Sequence, residues 1–537
     1  MWLKKRLRPD ESEPAKRILK RRHTPLVQPD INFSLTGEDF QRNGSALPKF
    51  ASHAVRTAIQ QIGRPHGNHV IKVGSFCTGS SADAIAMEAL QRAFKDEAIN
   101  VEFEHMFYCE KHDRKRDVWC KRVHQIISDT TVAAYLPCAF HDCEVLGTNK
   151  AKCTMHRKQG DGCSLPQHLG LLVAGFSCKD FSRANTTKGA LQGADIFNAK
   201  QTPGGSAQTM HAVLNLVSSI KVDAILLENS DELAGPVHSP ALDEFLNALS
   251  EKRFDCHCFV MNASDYSLPQ ERKRAYILGV ARPNSTFAIQ EGHAFFSTVK
   301  CILKACATQA PSFPSCLLPA DDTAVQKFLQ HRQTNGTLKG WESKTINSHR
   351  EKWLRDTGMR WGTVEASAAD VASPWFSTLA AREKDLLAFH QYKTRSKDDL
   401  AKGRRLITDL HQSMDQFTWG HVSETGRIYE PTILPAAKLW IYSEARCIHR
   451  MQTGAESLNF QGWPILEPRF SDLLENESNA FHQDLAGNAF PTTCVLACIL
   501  SLIFAGNFRD EGEGNEAAVT DTDIQAAMSL MQRAQNA

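Results

Sequence analysis

No stretch of this 537-residue chain reaches the roughly 18 consecutive apolar residues that read as a membrane-spanning helix. The longest apolar run, Cys494 to Ala505, is too short and contains Ser501, so no membrane partner is expected. Charge of one sign is missing too: 62 Lys and Arg stand against 60 Asp and Glu. That near-neutral total argues against wholesale coating of nucleic acid. It leaves room for a local basic cleft, because steering depends on where charges sit. Compositional extremes are absent. Apolar residues make up 42% of the chain and charged residues 23%, which excludes a wholly disordered or collagen-like polymer. The opening Met1-Trp2-Leu3-Lys4-Lys5-Arg6 lacks the apolar core of a secretory leader. The 16 cysteines are therefore expected to be reduced and intracellular, serving as core, metal-binding or catalytic thiols. No G-x-G-x-x-G is present, which counts against a dinucleotide cofactor.

What is present has a clear order. Residues 1–23 hold nine basic residues (Lys4, Lys5, Arg6, Arg8, Lys16, Arg17, Lys20, Arg21, Arg22) against three acids, a net of +6. Self-repulsion and low hydrophobicity predict a solvated tail. Its two basic clusters resemble a bipartite nuclear import signal, so the nucleus is the expected location; a nonspecific phosphate-binding arm is the plainer alternative. Asp510, Glu511, Glu513, Glu516, Asp521 and Asp523 mark an acidic tail with no expected catalytic role.

Between the tails, apolar strands alternate with helices. Val70–Phe76, Phe103–Cys109, Leu171–Gly175, Val222–Leu227, Phe254–Met261 and Ala275–Val280 read as strands. Ala82–Phe94, Asp113–Ile127, Met210–Ile220 and Pro240–Leu249 read as helices. This rhythm predicts an α/β fold with a doubly wound, mostly parallel sheet. It is lost from about 283 to 450, where short elements and polar loops suggest a smaller inserted domain, and resumes with a helix at Thr493–Phe504. The expected division is a basic tail and linker at 1–68, a main domain at 69–282, the insert at 283–450, the return of the main domain at 451–507 and the acidic tail at 508–537.

Ligands of such sheets bind beyond the carboxyl ends of the strands. The first strand ends in Gly74-Ser75-Phe76-Cys77-Thr78-Gly79-Ser80-Ser81, a small-residue turn that lets backbone amides approach a ligand. The second ends at Glu110, an acid suited to both hydroxyls of a ribose, and a later one at His141-Asp142. Another runs into Gly175-Phe176-Ser177-Cys178-Lys179-Asp180-Phe181-Ser182. A cysteine held just past a strand, beside a lysine, is placed to act as a thiolate nucleophile. The next strand ends in Glu228-Asn229-Ser230, and Gln270-Glu271-Arg272-Lys273-Arg274 precedes a further strand. Arg272 and Arg274, two residues apart, point to one side if extended.

Together these segments resemble the DNA (cytosine-5)-methyltransferases. Gly175–Ser182 resembles that family's nucleophile motif, Glu228–Ser230 its Glu-Asn-Val motif and Gln270–Arg274 its Gln-x-Arg-x-Arg motif. Phe460-Gln461-Gly462-Trp463-Pro464 and Gly487-Asn488-Ala489-Phe490-Pro491 resemble its two closing motifs, so the likeness covers about residues 70 to 505. The resemblance implies a Rossmann-like methyltransferase sheet whose insert at 283–450 is a target recognition domain. It implies S-adenosyl-L-methionine as cofactor, with Phe76 stacking on its adenine, Gly79 in the turn, Glu110 on the ribose, Asp142 on the adenine amino group and Asn488 completing the pocket. Cys178 would be the nucleophile, Glu228 the acid, and Arg272 and Arg274 supporting cations. The substrate would be duplex DNA with a flipped cytosine; protein partners are unknown.

Departures from the family pattern carry their own expectations. The cofactor turn has fewer glycines than the usual Phe-x-Gly-x-Gly. Ser177 replaces a proline that would stiffen the nucleophile loop. Lys179 replaces glutamine and is expected to lower the Cys178 pKa, and Ser230 replaces valine. Two alternatives stay open: an RNA (tRNA) methyltransferase of the same family, and a catalytically silent DNA-binding homologue. Cys138, His141, Cys143, Cys153, His156, Cys163 and His168 also crowd into about thirty residues. Cys153-x2-His156-x6-Cys163-x4-His168 is compatible with tetrahedral zinc, but its spacing matches no standard finger. The reading taken is a polar insert with incidental thiols and no metal.

Overall fold

The computed structural model describes residues 33–508, except 42–45, 66, 78, 131–134, 142–152, 157–162, 182–195, 198–204, 283–286, 289–291, 336–349, 357, 359–365, 397, 399–405, 413–419 and 444–446. Both charged tails, Asp142 and Ser182 lie outside the described residues.

In chain order, helix α1 (Ala46–Ile62) precedes strand β1 (His69–Phe76), α2 (Ala82–Asp96) and β2 (Val101–Cys109). A π-helical segment, Arg114–Cys120, runs into α3 (Lys121–Ile127), followed by the short strand β3 (Cys138–Phe140). Then come β4 (His168–Gly175), α4 (Ser206–Ser219), β5 (Lys221–Ser230), α5 (Ser239–Glu251), β6 (Phe254–Asn262), β7 (Lys273–Ala281) and α6 (Gly292–Ala305). The sheet order is β3-β2-β1-β4-β5-β7-β6. The first five strands run parallel, and β7 is antiparallel to both β5 and β6. The sheet is the expected doubly wound one. Strand order reverses between β1 and β4, where such sheets bind their ligands.

Helices cover both faces, so the central strands need no polar side. From Leu169 to Ala174, β4 is buried throughout. One face carries α1, α2, α6 and α11 (Thr492–Ala505), with α1 and α11 each packed on the other three. Every residue of α11 from Thr492 to Phe504 is buried; a helix apolar all round belongs inside a core. The stretch Asn479–Ala505 is apolar enough to cross a membrane by composition, yet 89% of its most apolar window is buried within the protein. The other face carries α4 and α5, packed over Leu172, Ile225 and Leu227.

The inserted region holds α7 (Thr323–Asn335), α8 (Ala381–Lys393) and an antiparallel sheet of β8 (Ile407–Asp409), β9 (Leu439–Ser443) and β10 (Ile448–Met451). Its own core comprises Val325, Trp353, Trp375, Leu386, Phe389 and Trp440. The chain then returns through α9 (Gly454–Asn459) and α10 (Asn479–Asn488) to α11.

Two edges of the expected division move. The segment assigned to a linker at 1–68 contains α1, whose Leu47, Phe50, Ala51, Ala54, Val55 and Ala58 form a buried helical stripe in the main core. At the other edge, α6 packs on α1 and α11, and Phe313, Cys316 and Leu317 join the same core. The separate core of the insert begins at Leu318, not at 283.

Candidate active site

Four parallel strand ends and one antiparallel strand start share a rim. Because β7 runs opposite to β5, its first residues lie where β5 finishes: Ser230 pairs with Arg274. This is why two arginines preceding a strand meet a glutamate ending one. On the other side of β5, Glu228 pairs with Gly175, the last residue of β4. Cys178 follows three residues later and is exposed.

The loop carrying Cys178 is anchored by backbone hydrogen bonds. The Ser177 amide donates to Thr209 Oγ1 at 3.0 Å and the Asp180 amide to Ser206 Oγ at 3.1 Å. In return, the Ser206 amide donates to Asp180 Oδ2 at 2.7 Å. Ser206 and Thr209 lie in the first turn of α4, so a helix N-terminus grips the loop. From the opposite side, Asn229 Nδ2 donates to the Phe176 carbonyl at 2.9 Å. The expectation that Ser177 leaves this loop slack is answered here. A proline at 177 would lack the amide that Thr209 accepts.

Glu228 and Arg274 form a pair, with Nε 3.2 Å from Oε1. Burial nevertheless raises the Glu228 pKa, with Arg274 and Arg272 pulling the other way. The direction favours a carboxyl group that keeps its proton longer than an ordinary one. The Cys178 thiol is also raised, first by desolvation from the surrounding protein, although its side chain reaches solvent, and then by Glu228, while Arg274 and Arg272 lower it. Lys179, expected to lower this thiol, is an exposed side chain; the lowering comes from the two arginines.

Arg272 is buried, and its guanidinium donates to the carbonyls of Ile433 (3.1 Å), Gly487 (3.1 Å) and Ala489 (2.9 Å). It acts on Cys178 and Glu228 through its charge while tying β7 to the segment Gly487–Pro491. Burial lowers its pKa to about 9.

The remaining residues gather at the ends of β1 and β2. Phe76 is buried in the core with Phe107 and Phe176. Cys77, Gly79 and Ser81 all have positive φ, so the turn coils tightly before α2. Glu110 Oε2 accepts from the Gly79 amide and Oε1 from the His112 amide, both at 2.9 Å. Each oxygen keeps capacity for a further hydrogen bond. The buried hydroxyls of Ser80 and Ser81 have no partner among the described residues. Orphaned hydroxyls in the turn whose Gly79 amide binds the Glu110 carboxylate fit a polar nucleoside group, as S-adenosyl-L-methionine carries. Asn488 is exposed, and its carbonyl lies 3.6 Å from where a Cβ on Gly79 would stand. Its neighbour Phe490 closes over Gly175, where a Cβ would come within 2.5 Å of the ring.

Thus Cys178, Glu228, Arg272 and Arg274 come together at one end of the rim, and Gly79, Glu110 and Asn488 at the other. Asn229, Ser206, Thr209 and Phe490 position the site without having been singled out. Asn229 and Phe490 lie within motifs already noted; Ser206 and Thr209 carry no local signal.

The profile of the family described as C-5 cytosine-specific DNA methylase matches residues 143–420, just over half of the chain. The chain belongs to the C-5 cytosine-specific DNA methylases. It is 23% identical over 468 residues to the DNA (cytosine-5-)-methyltransferase DMT5 of Cryptococcus neoformans, covering 83% of this chain and 17% of that protein. It is 28% identical over 149 residues to the type II methyltransferase M.NlaX of Neisseria lactamica, covering 27% and 43% respectively. The chain thus spans less than half the length of these curated relatives. Among solved structures, the Entamoeba histolytica methyltransferase EhMeth aligns with 81% of this chain and 98% of its own, at 11% identity and a TM-score of 0.39.

Proposed function

We propose that this chain methylates carbon 5 of cytosine in DNA, using S-adenosyl-L-methionine and a transient bond between Cys178 and a cytosine flipped out of the duplex. The observation that carries this reading is the meeting of one thiol, one carboxyl group and two guanidinium groups on a single rim.

Carbon 5 of cytosine is a poor nucleophile. A thiolate adding to carbon 6 converts it to an enamine-like centre, and Cys178 supplies that sulfur. The two arginines favour its ionised form. Glu228, biased by burial towards its protonated form, donates a hydrogen bond to ring N3 as charge develops. Arg274 holds the O2 side and stabilises the same charge. When bound, the cofactor supplies an electrophilic methyl group. Glu110 would orient its ribose, the turn around Gly79 would take its backbone contacts, and Asn488 would complete its pocket; Asp142, expected on the adenine amino group, lies outside the described residues. Loss of the carbon-5 proton to a base or water lets the carbon–sulfur bond break, which restores Cys178. Flipping the base costs a few kcal/mol, offset in part by phosphate contacts.

The test is methyl transfer from labelled S-adenosyl-L-methionine to duplex DNA, single-stranded DNA and tRNA in parallel, with Cys178→Ala as control. Label in duplex DNA that vanishes in the variant supports the reading. Label in tRNA alone replaces the substrate, and label in none removes the activity. A duplex carrying 5-fluorocytosine should become covalently attached at Cys178. A nuclear location belongs to the same proposal and rests on the basic clusters at 4–8 and 16–22. A fluorescent protein fused to residues 1–23 that stays in the cytoplasm would remove that part.

A further inference from the structure

The proposed reaction uses none of the thiols grouped beside β3. Cys138 opens that strand. Cys153 pairs in an antiparallel bridge with Phe140, at the strand's other end, and the Thr154 amide donates to the Ala139 carbonyl at 2.7 Å. Cys163 lies five residues before β4 begins. These three cysteines converge on one histidine. Nδ1 of His156 lies 3.6 Å from Cys138 Sγ, 3.5 Å from Cys153 Sγ and 3.2 Å from Cys163 Sγ. All four ligand atoms fall within 4.8 Å of one another, and the three cysteines are free thiols.

A tetrahedral zinc ion bound at about 2.3 Å to sulfur and about 2.05 Å to nitrogen sets the sulfur–nitrogen edge at about 3.6 Å and the sulfur–sulfur edge at about 3.8 Å. The three sulfur–nitrogen separations, 3.2 to 3.6 Å, lie close to that edge, and with all four atoms within 4.8 Å of one another only small side-chain shifts separate the cluster from the tetrahedron. Three sulfurs and one imidazole nitrogen are also the donor set that selects zinc over hard cations such as magnesium or calcium. We propose that Cys138, Cys153, His156 and Cys163 hold one structural zinc ion. Four protein ligands leave no open position for water or substrate, so the ion has no catalytic part.

The ligand set differs from the one the spacing suggested. His168 stands apart, with Nε2 2.7 Å from Asp223 Oδ2, and Cys138 takes its place. The exchange has a physical reason. His168 is the first residue of β4, and its pairing with Lys221 fixes it beside β5, whereas Cys138 and Cys153 are brought side by side by the bridge to Phe140.

The position explains the use. β3 is a three-residue strand at the edge of the sheet, too short to hold itself by pairing alone. An ion bound to Cys138, Cys153, His156 and Cys163 joins the start of β3, the bridged turn and the approach to β4. It staples the sheet edge from which the chain leaves towards residue 142.

The full chain, purified without chelator from zinc-supplemented cells, should carry one equivalent of zinc by mass spectrometry. Cys138→Ser and Cys163→Ser should each lower that content at least fivefold, and His168→Gln should leave it unchanged. Because a serine variant that does not fold also loses zinc, the unaltered protein gives a second reading. A mercurial thiol reagent should release its zinc to a metallochromic indicator. Cobalt exchanged into the site should show a thiolate-to-metal band in the near ultraviolet and the strong visible bands of a tetrahedral ion. Less than about 0.2 equivalent of zinc in the unaltered protein, with no tetrahedral cobalt spectrum, overturns the proposal. Zinc lost in His168→Gln but kept in Cys138→Ser overturns this ligand set. None of these readings depends on methyl transfer.

Discussion

Arg274 Nε lies 3.2 Å from Glu228 Oε1 across the β5–β7 ladder, and both side chains act on the Cys178 thiol in opposite senses. The pair forms only because β7 is antiparallel. Desolvation raises the thiol most; beyond that, Glu228 holds it up and Arg274 draws it down, two charges that partly cancel at a distance.

Alkylation of Cys178 reads this balance. The thiol pKa is raised above its ordinary value of 9.0, so iodoacetamide labelling of that peptide should be slow at neutral pH and still rising beyond pH 9. Glu228→Gln removes a negative neighbour and should speed labelling at pH 7.5. Arg274→Leu removes a positive one and should slow it. Peptide-level mass spectrometry separates Cys178 from the other thiols. The opposite order in the two variants would contradict the arrangement.

Stability should depend on pH through Glu228. Its pKa is raised in the folded protein relative to the ordinary 4.5. Between the two values the folded state binds more protons than the unfolded chain, so stability falls as pH rises through that window. Glu228→Gln escapes this loss. Its thermal midpoint should match the unaltered protein below pH 4.5 and exceed it at pH 8, while methylation drops by about 10²-fold or more. Equal midpoints at pH 8 would count against a buried, strained carboxylate.

Ser177 and Thr209 should be energetically coupled. Thr209→Val strips the acceptor from the Ser177 amide at 3.0 Å. An amide left without its partner costs about 1–3 kcal/mol, here expressed as misplacement of the Cys178 loop and about a 5- to 150-fold fall in kcat. With Ser177→Pro there is no amide to strand, so adding Thr209→Val should change little. A double-mutant cycle in kcat tests this directly; additive effects would deny the coupling.

Arg272 should matter more to the fold than its neighbour does. Arg272→Met withdraws the donors from Ile433, Gly487 and Ala489. The expected loss is about 3 kcal/mol or more, seen in chemical denaturation. Arg272→Lys should restore only part, since one ammonium cannot reproduce the planar fork. Arg274→Lys, at a residue whose guanidinium reaches, among the described residues, Glu228 and its own neighbour's carbonyl, should cost activity with little stability.

The strands and helices around the site were legible because their apolar periodicity is strong. Val70–Phe76 appears as His69–Phe76 and Ala82–Phe94 as Ala82–Asp96, each wider by the polar residues at its ends. α1 carries a legible stripe of Leu47, Phe50, Ala54 and Ala58, but the basic segment before it gives residues 1–68 the composition of a tail and linker. The start of the insert is not legible locally because α6 is amphipathic like any surface helix. Its partners α1 and α11 lie more than 180 residues apart at their nearest ends, with nothing local to announce the contact.

By itself, the sequence determined the alternation of elements, the residue types at the strand ends and the family to which they belong. These are local or periodic properties, written within a few residues of each other. Only the tertiary structure decided which cation offsets which carboxylate, that the loop at Ser177 hangs from the first turn of α4, that Arg272 serves as a tie, and that Cys138 rather than His168 stands with the other three ligand types. Each of these depends on strand order and direction, which bring together residues that local spacing does not relate.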